Sequence, residues 1–247
     1  MEYIIRDYRL RHRQGDLSHF RVAIKETDLD VGVRKDRFSP DLVSLVEKLV
    51  KEIRGQLEEY ISIDPGFLKS LVPYDVRLDA PPIAVAMSNA AKAAGVGPMA
   101  AVAGAISEVV GSTLLKHSRD VIVENGGDIY LRTRCTRTIG IFAGSSPLSH
   151  RIALEIKPDQ TPIGICTSSG TVGHSLSFGC ADAAVILSPS APLADAVATA
   201  TGNIVRSHYD LEKAVEFALS VPGITGAVVI LGTKLAAKGK IKLVPAI

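Results

Sequence analysis

The chain has no tryptophan, 5% aromatic residues, three cysteines among 247 residues, and a net charge of only +2. Each shortage removes a class of function. So few aromatic rings cannot build a stacking platform for single-stranded nucleic acid. A balanced charge gives no bulk pull toward nucleic acid. The basic cluster Arg6, Arg9, Arg11 and Arg13 is diluted by Glu2, Asp7 and Asp16, and reads as a solvated strand or turn face. Cys135, Cys166 and Cys180 are odd in number and form no Cys-x-x-Cys pair, which excludes a zinc ribbon or a disulfide framework. Buried free thiols are expected, with a Cys166–Cys180 bridge as the alternative. The longest weakly polar stretch, Ala80 to Ile106, is broken by Asn89, Lys92 and Pro98, so no membrane span is expected. The start, Met-Glu-Tyr-Ile-Ile-Arg, has no apolar signal core. A cytoplasmic protein with neither nucleic-acid nor membrane partners is the expectation. What remains is ordinary for a globular chain, at 47% hydrophobic and 22% charged residues.

Against that background one run is unusual: Ser188-Pro-Ser-Ala-Pro-Leu-Ala-Asp195-Ala-Val-Ala-Thr199-Ala. Ser190 is a candidate cap, Pro192 suits the first helical turn, and Gly202-Asn203 is a candidate end. Inside this predicted helix nearly every residue is Ala, Val or Leu. The exceptions, Asp195 and Thr199, are spaced i and i+4 and so share a face. A carboxylate and a hydroxyl together offer the hard oxygens that Mg²⁺ or Ca²⁺ takes. Spacing alone equally allows a Thr bonded to the preceding turn and an Asp stabilised near a helix start.

Two further runs bear on that choice. Glu124-Asn-Gly-Gly-Asp128 follows the apolar Val121-Ile-Val, and Cys166-Thr-Ser-Ser-Gly170-Thr-Val-Gly-His174 follows Ile163-Gly-Ile. Each is a strand emptying into a turn rich in glycine or hydroxyls, where bare amides and short side chains can meet a phosphate. A hairpin turn accounts equally well for Asn-Gly-Gly-Asp, and a plain polar loop for Thr-Ser-Ser-Gly-Thr.

In this order the three runs resemble the signatures of the ApbE-like superfamily, whose namesakes are FAD:protein FMN transferases. Those enzymes carry an Asn-x-Gly-Gly-Asp-Ile turn, a Thr-Ser-Gly loop and an Ala-Asp-Ala-x-(Ala/Ser)-Thr-Ala helix. The counterparts here are Gly126 to Ile129, Thr167 to Gly170, and Ala194 to Ala200. The likeness spans roughly residues 97 to 205 and is faint over residues 1 to 96, as in a shorter branch of the superfamily. It implies a flavin nucleotide, FAD or FMN, bound by Asn125, Gly126, Gly127, Asp128, Thr167, Ser168, Ser169, Gly170 and Thr171. It also implies Mg²⁺ on Asp195 and Thr199, and His174 as the catalytic base. The chemistry would be cleavage of FAD to FMN and AMP, with FMN passed to an acceptor protein or to water. The departures are specific. Glu124 stands where the family has Asn. Ala103, in Ala101-Val-Ala-Gly104, stands where transferases have lysine. His174-Ser-Leu-Ser-Phe-Gly179 lacks the Asp-Pro that follows the transferase histidine. These leave open a non-catalytic nucleotide or flavin binder, or an interaction protein in which the loops only shape turns.

A coarse pass predicts strands at 2–10, 19–26, 28–35, 120–124, 128–134, 138–143, 151–156, 162–167, 182–188, 226–232 and 240–244. Helices are expected at Asp41 to Ile61, from Ile83, from Met99 to Lys116, through Asp195, and from Asp210 to Leu219. Ser39 or Asp41 is the candidate cap of the first. Pro65 to Asp79 reads as a broken connection. Glu108, an isolated acid on the small-residue helix, either reaches the metal site or points outward. The element order is α+β. The resemblance implies the duplicated T-fold of ApbE-like proteins, with antiparallel sheets and helices packed outside. The expectation is one domain over residues 1–247, of two intertwined halves with a soft seam near 64–80. Association through sheet edges makes a homodimer an open expectation.

Overall fold

The computed structural model describes residues 15–170 and 178–246. The expected strand at 2–10 lies outside them, as do Thr171 and His174.

Eight strands form one sheet in the order β1-β2-β3-β4-β7-β8-β9-β10, and every neighbouring pair is antiparallel. They are β1 (Leu17–Ile24), β2 (Thr27–Arg34), β3 (Val121–Asn125), β4 (Asp128–Arg132), β7 (Ile163–Ser168), β8 (Ala183–Ser188), β9 (Gly226–Leu231) and β10 (Lys234–Gly239). A three-stranded sheet, β11-β6-β5, comprises β5 (Arg137–Gly140), β6 (Ile152–Ile156) and β11 (Leu243–Pro245). The helices are α1 (Pro40–Ile63), α2 (Pro65–Lys69), α3 (Pro82–Ala94), α4 (Val102–Leu114), α5 (Ala191–Ile204) and α6 (Leu211–Ser220). This is the α+β architecture of antiparallel sheets and outer helices expected from the sequence.

Strand alternation divides the large sheet into two faces. Val31, Val123, Ile186 and Val229 face the helices and join Val46, Met87, Ala91, Val110 and Val197 in one core. Ile122, Leu131, Ile165, Leu187 and Ile230 face the other way and pack on Ile139, Leu154 and Ile156 of the small sheet. Central strands such as β8 are buried on both faces, which is why Ala183–Ser188 is continuously apolar up to its last residue.

Helix α5 is the hub of the helical layer, packing on β7, β8, α3, α4 and α6. Its run of Ala, Val and Gly follows from that position, since only small side chains let a helix approach so many neighbours at once. Near Gly104 the approach of α4 to α5 is closest. A Cβ there would run into the Ala191 carbonyl and stand 2.9 Å from Asp195 Cβ.

Several local expectations are corrected. Strand β10 falls between the predicted strands 226–232 and 240–244; it is an edge strand whose lysines, Lys234 and Lys238, keep it solvated. The predicted helix from Met99 divides into a 3₁₀ turn, Pro98–Ala101, and α4. Neither Ser39 nor Ser190 caps its helix through its side chain. Helix α5 runs through Gly202-Asn203 to Ile204. All three cysteines are free, but only Cys166 is buried. No single described helix is long and apolar enough to cross a membrane; α3 with the segment Pro98–Leu114 passes by composition only as a pair bent by 103°.

Candidate functional site

The Glu124–Asp128 run forms the hairpin between β3 and β4. Asn125 pairs with Asp128, and Gly126 and Gly127 carry φ of 70° and 109°. Two successive positive φ values are what a two-residue hairpin turn of this hand requires, and Gly supplies them without strain. Glu124 Oε1 accepts the Gly127 amide at 2.7 Å, so this amide is engaged within the turn. Asn125 Nδ2 donates to the Ala103 carbonyl at 3.3 Å, tying the turn to the start of α4. Ser107 of α4 donates to the Asp128 carbonyl at 3.0 Å, a second tie.

Asp128 then reaches sideways. Its Oδ1 accepts the Thr167 amide at 3.2 Å, joining the hairpin to the hydroxyl-rich end of β7. From there the chain runs along α5: Ser168 Oγ lies 3.6 Å from where a Cβ on Gly202 would stand. Ser169 is half-buried and Gly170 exposed, and the Gly170 amide donates to the Ala181 carbonyl at 2.9 Å. Asn203 Oδ1 accepts the Phe178 amide at 2.8 Å, and the Arg206 guanidinium donates to the Phe178 carbonyl. The three signature runs, distant in sequence, therefore meet at the junction of β4, β7, α4 and α5.

Asp195 stands at that junction, one helical turn before Thr199. Its Oδ2 accepts the Gly104 amide at 2.9 Å, and the Ala103 amide also bears on the carboxyl. Both amides belong to the first turn of α4, whose orphan donors need acceptors. Glu108 returns the arrangement: its Oε2 accepts the Ala191 amide at 2.6 Å, at the start of α5. Each helix thus uses an acid of the other as its N-terminal acceptor. Glu108 performs the task sequence reasoning assigned to Ser190, and it neither points outward nor touches Asp195 in the described contacts.

Burial pushes the Asp195 carboxyl well above the usual carboxylate range, and the neighbouring Asp128 charge adds to the push. The Gly104 and Ala103 amides oppose it without compensating. The residue as a whole is half-buried. Burial also raises the Cys166 thiol, assisted by Asp128 and Asp195, while Cys166 Sγ donates to the Ala191 carbonyl at 3.3 Å. Glu108 is raised by burial, partly offset by the Ala191 amide.

Among the described residues no group of three or more His, Cys, Asp or Glu side chains forms a metal cluster. The oxygen donors present are the Asp195 and Asp128 carboxylates and the Thr199 hydroxyl. That set suits Mg²⁺, which binds one or two carboxylates and completes its shell with water and substrate phosphate. Two concavities, of about 430 and 540 Å³, lie elsewhere, one around Asp182 and His208 and the other around Lys157 and Lys240. Neither is lined by Asp128, Thr167, Ser168, Ser169, Asp195 or Thr199. The chemistry is concentrated at the β4/β7/α4/α5 junction, where buried acids meet helix amides.

A family model described as "AbpE bacteria" matches residues 9–239. A UPF0280 protein of Methanococcus aeolicus is 40% identical over 228 residues, covering 90% of each chain. A UPF0280 protein of Methanocella arvoryzae is 44% identical over 193 residues, covering 78% of each. Among solved structures, the flavinyl transferase ApbE of Pseudomonas stutzeri in its apo form superposes with a TM-score of 0.59 at 12% identity, covering 90% of this chain and 94% of that one. The flavin transferase ApbE of Vibrio cholerae superposes with a TM-score of 0.55 at 14% identity, over 90% and 96%. At such identities the likeness is one of fold. With its antiparallel α+β architecture and with the family match running from residue 9 to residue 239, the chain belongs to the ApbE-like family described as AbpE bacteria.

Proposed function

We propose that the chain binds a flavin nucleotide with Mg²⁺ at the junction of β4, β7, α4 and α5. The observation that carries this reading is the Asp195–Asp128 pair. A buried carboxyl is set beside a second acid, with only two amides to offset it. An acid raised in this way is costly to a fold, and such acids concentrate at functional sites.

Asp195 and Thr199 would hold the cation, with Asp128 beside them. A cation held by these residues would supply the positive charge that polarises a phosphate ester. The other parts are the chain's own. Ser168 and Ser169 offer hydroxyls to phosphate or ring edges. The Asn125–Asp128 hairpin fixes the position of Asp128 through Thr167. His174, in a hydroxyl-rich sequence, is the candidate to take the proton from the attacking hydroxyl or water. In that reaction the oxygen would attack the FMN-side phosphorus, the pyrophosphate P–O bond would break, and AMP would leave.

Two residues favour a second reading, a nucleotide binder with little or no transfer activity. Ala103 supplies an amide where a transferase lysine would supply a cation, and such cations offset charge developing on phosphate. The segment after His174 lacks Asp-Pro. The test is incubation of the purified protein with FAD and Mg²⁺, following AMP release and retained flavin. AMP with FMN supports turnover. Retained FAD without AMP supports the binder. Neither AMP nor retained flavin in the presence of Mg²⁺ contradicts both.

A further inference from the structure

Six of the ten exposed large apolar residues among the described residues fall within one short stretch: Ile63, Leu68, Leu71, Val72, Leu78 and Val85. Scattered apolar residues on a surface need no explanation; a concentration of this kind does. The stretch is not loose. Gly97 packs directly on the backbone of Ser70 and Leu71, near the far end of α3. Ser88 of α3 donates to the Tyr74 carbonyl at 2.5 Å, and Lys92 Nζ lies 2.5 Å from the Asp75 carboxylate. The Tyr74 hydroxyl donates to Asp64 at 2.6 Å, and the Tyr60 hydroxyl accepts the Arg77 amide at 3.1 Å. Residues 70–81 therefore run as an extended strap back along α3, fastened by polar groups on its inner side.

The strap's polarity is the reverse of an ordinary surface connection. Tyr74 and Val76 turn inward onto the core beside Phe67, while Leu71, Val72 and Leu78 stay outside, Leu78 fully exposed. Ordering such a segment costs conformational entropy, and leaving its leucines in water recovers none of it.

We propose that this strap is the interface between two copies of the chain. The six side chains present roughly 700 Å² of accessible surface, close to the ~800 Å² that each partner buries in a standard stable interface. Among their charged neighbours Arg77 is paired with Asp79 and Lys92 with Asp75 within one copy, and Asp64 and Lys69 are opposite in sign. The patch therefore carries no net field that would select an oppositely charged partner. A neutral apolar surface is self-complementary across a two-fold axis, where each residue meets the same patch on the other copy.

The test is sedimentation equilibrium of the full chain over a wide concentration range, beside Leu78→Asp and a Val72→Asp/Leu78→Asp double variant. Leu78 touches none of the core, so far-ultraviolet dichroism and the thermal midpoint of the single variant should match the parent. The parent is expected to dimerise, and Leu78→Asp to raise the dimer dissociation constant about tenfold or more. Hydrogen exchange across residues 70–81 should be slower in the parent at high concentration than on dilution. A parent that stays monomeric, a dimer indifferent to both variants, or a monomer that binds neutral lipid vesicles through the strap would each overturn the proposal.

Discussion

Two aspartates, at opposite ends of the β3–β4 hairpin, meet opposite fates. Asp120 lies just before β3, nearly inaccessible to solvent. Burial pushes its pKa up, but the Arg134 amide at 2.6 Å, the Arg134 guanidinium at 3.2 Å and the Thr133 hydroxyl at 3.1 Å outweigh it and hold the carboxyl below its usual range. Arg137 and Arg34 stand nearby at 3.8 and 3.9 Å. Asp195, by contrast, meets a second acid and two amides, and its pKa is driven up. The fold neutralises one acid completely and leaves the other raised, which the proposed function reads as poised for a cation. The contrast is between an acid whose partners offset its burial and one whose two amides do not.

Removing the satisfied acid should have the largest effect. Asp120→Ala leaves the Arg134 amide without its acceptor and takes away the carboxylate that the Arg134 guanidinium meets, while Arg137 keeps Asp16, and a loss of about 3 kcal/mol is expected, since breaking a buried pair costs this order. Urea unfolding monitored by dichroism would measure it; a change within error would mean that the network is ornamental. Next, Gly104→Ala drives a methyl into the Ala191 carbonyl and toward Asp195. About 1–3 kcal/mol of destabilisation should follow, with α4 displaced from α5. If that variant is as stable as the parent, the close helix contact is not a constraint.

The poised acid should behave differently. Asp195→Asn keeps an acceptor for the Gly104 amide and removes the repulsion from Asp128. Stability near neutral pH should change by no more than about 1 kcal/mol, in the direction of gain. A large loss would show that Asp195 is as structural as Asp120. The smallest effect is on the acid side. Asp120 has a folded-state pKa below its unfolded value, so its contribution is complete above the usual carboxylate range and fades as pH falls through the folded pKa. The stability gap between the parent and Asp120→Asn should therefore shrink at low pH, which a series of urea midpoints would record.

Much of the fold was legible because it rests on local signals. Alternation at Phe20-Arg-Val-Ala-Ile marked β1, apolar runs marked β3, β7 and β8, helical spacing marked α1, and Gly-Gly between two apolar runs marked the β3–β4 hairpin. The three site runs were legible as motifs, and Asp128–Thr167 is the contact that joins two of them. What was hidden depends on tertiary contact. Nothing near Ser190 announces that Glu108, far away on α4, will take the Ala191 amide. The network around Asp120 draws on β2, the β3 approach and the β4–β5 turn, and no window of sequence contains it. Strand β10 has the lysines of a solvated edge and none of the alternation of a half-buried strand.

The central claim, that Asp195 is held ready for a cation and a phosphate-bearing flavin, is tested most directly by calorimetric titration of FAD into the parent and Asp195→Asn, with Mg²⁺ and with chelator. The account predicts that Mg²⁺ strengthens FAD binding to the parent about tenfold or more and leaves the variant's affinity unchanged, the variant remaining folded. Equal Mg²⁺ dependence in both proteins would contradict it.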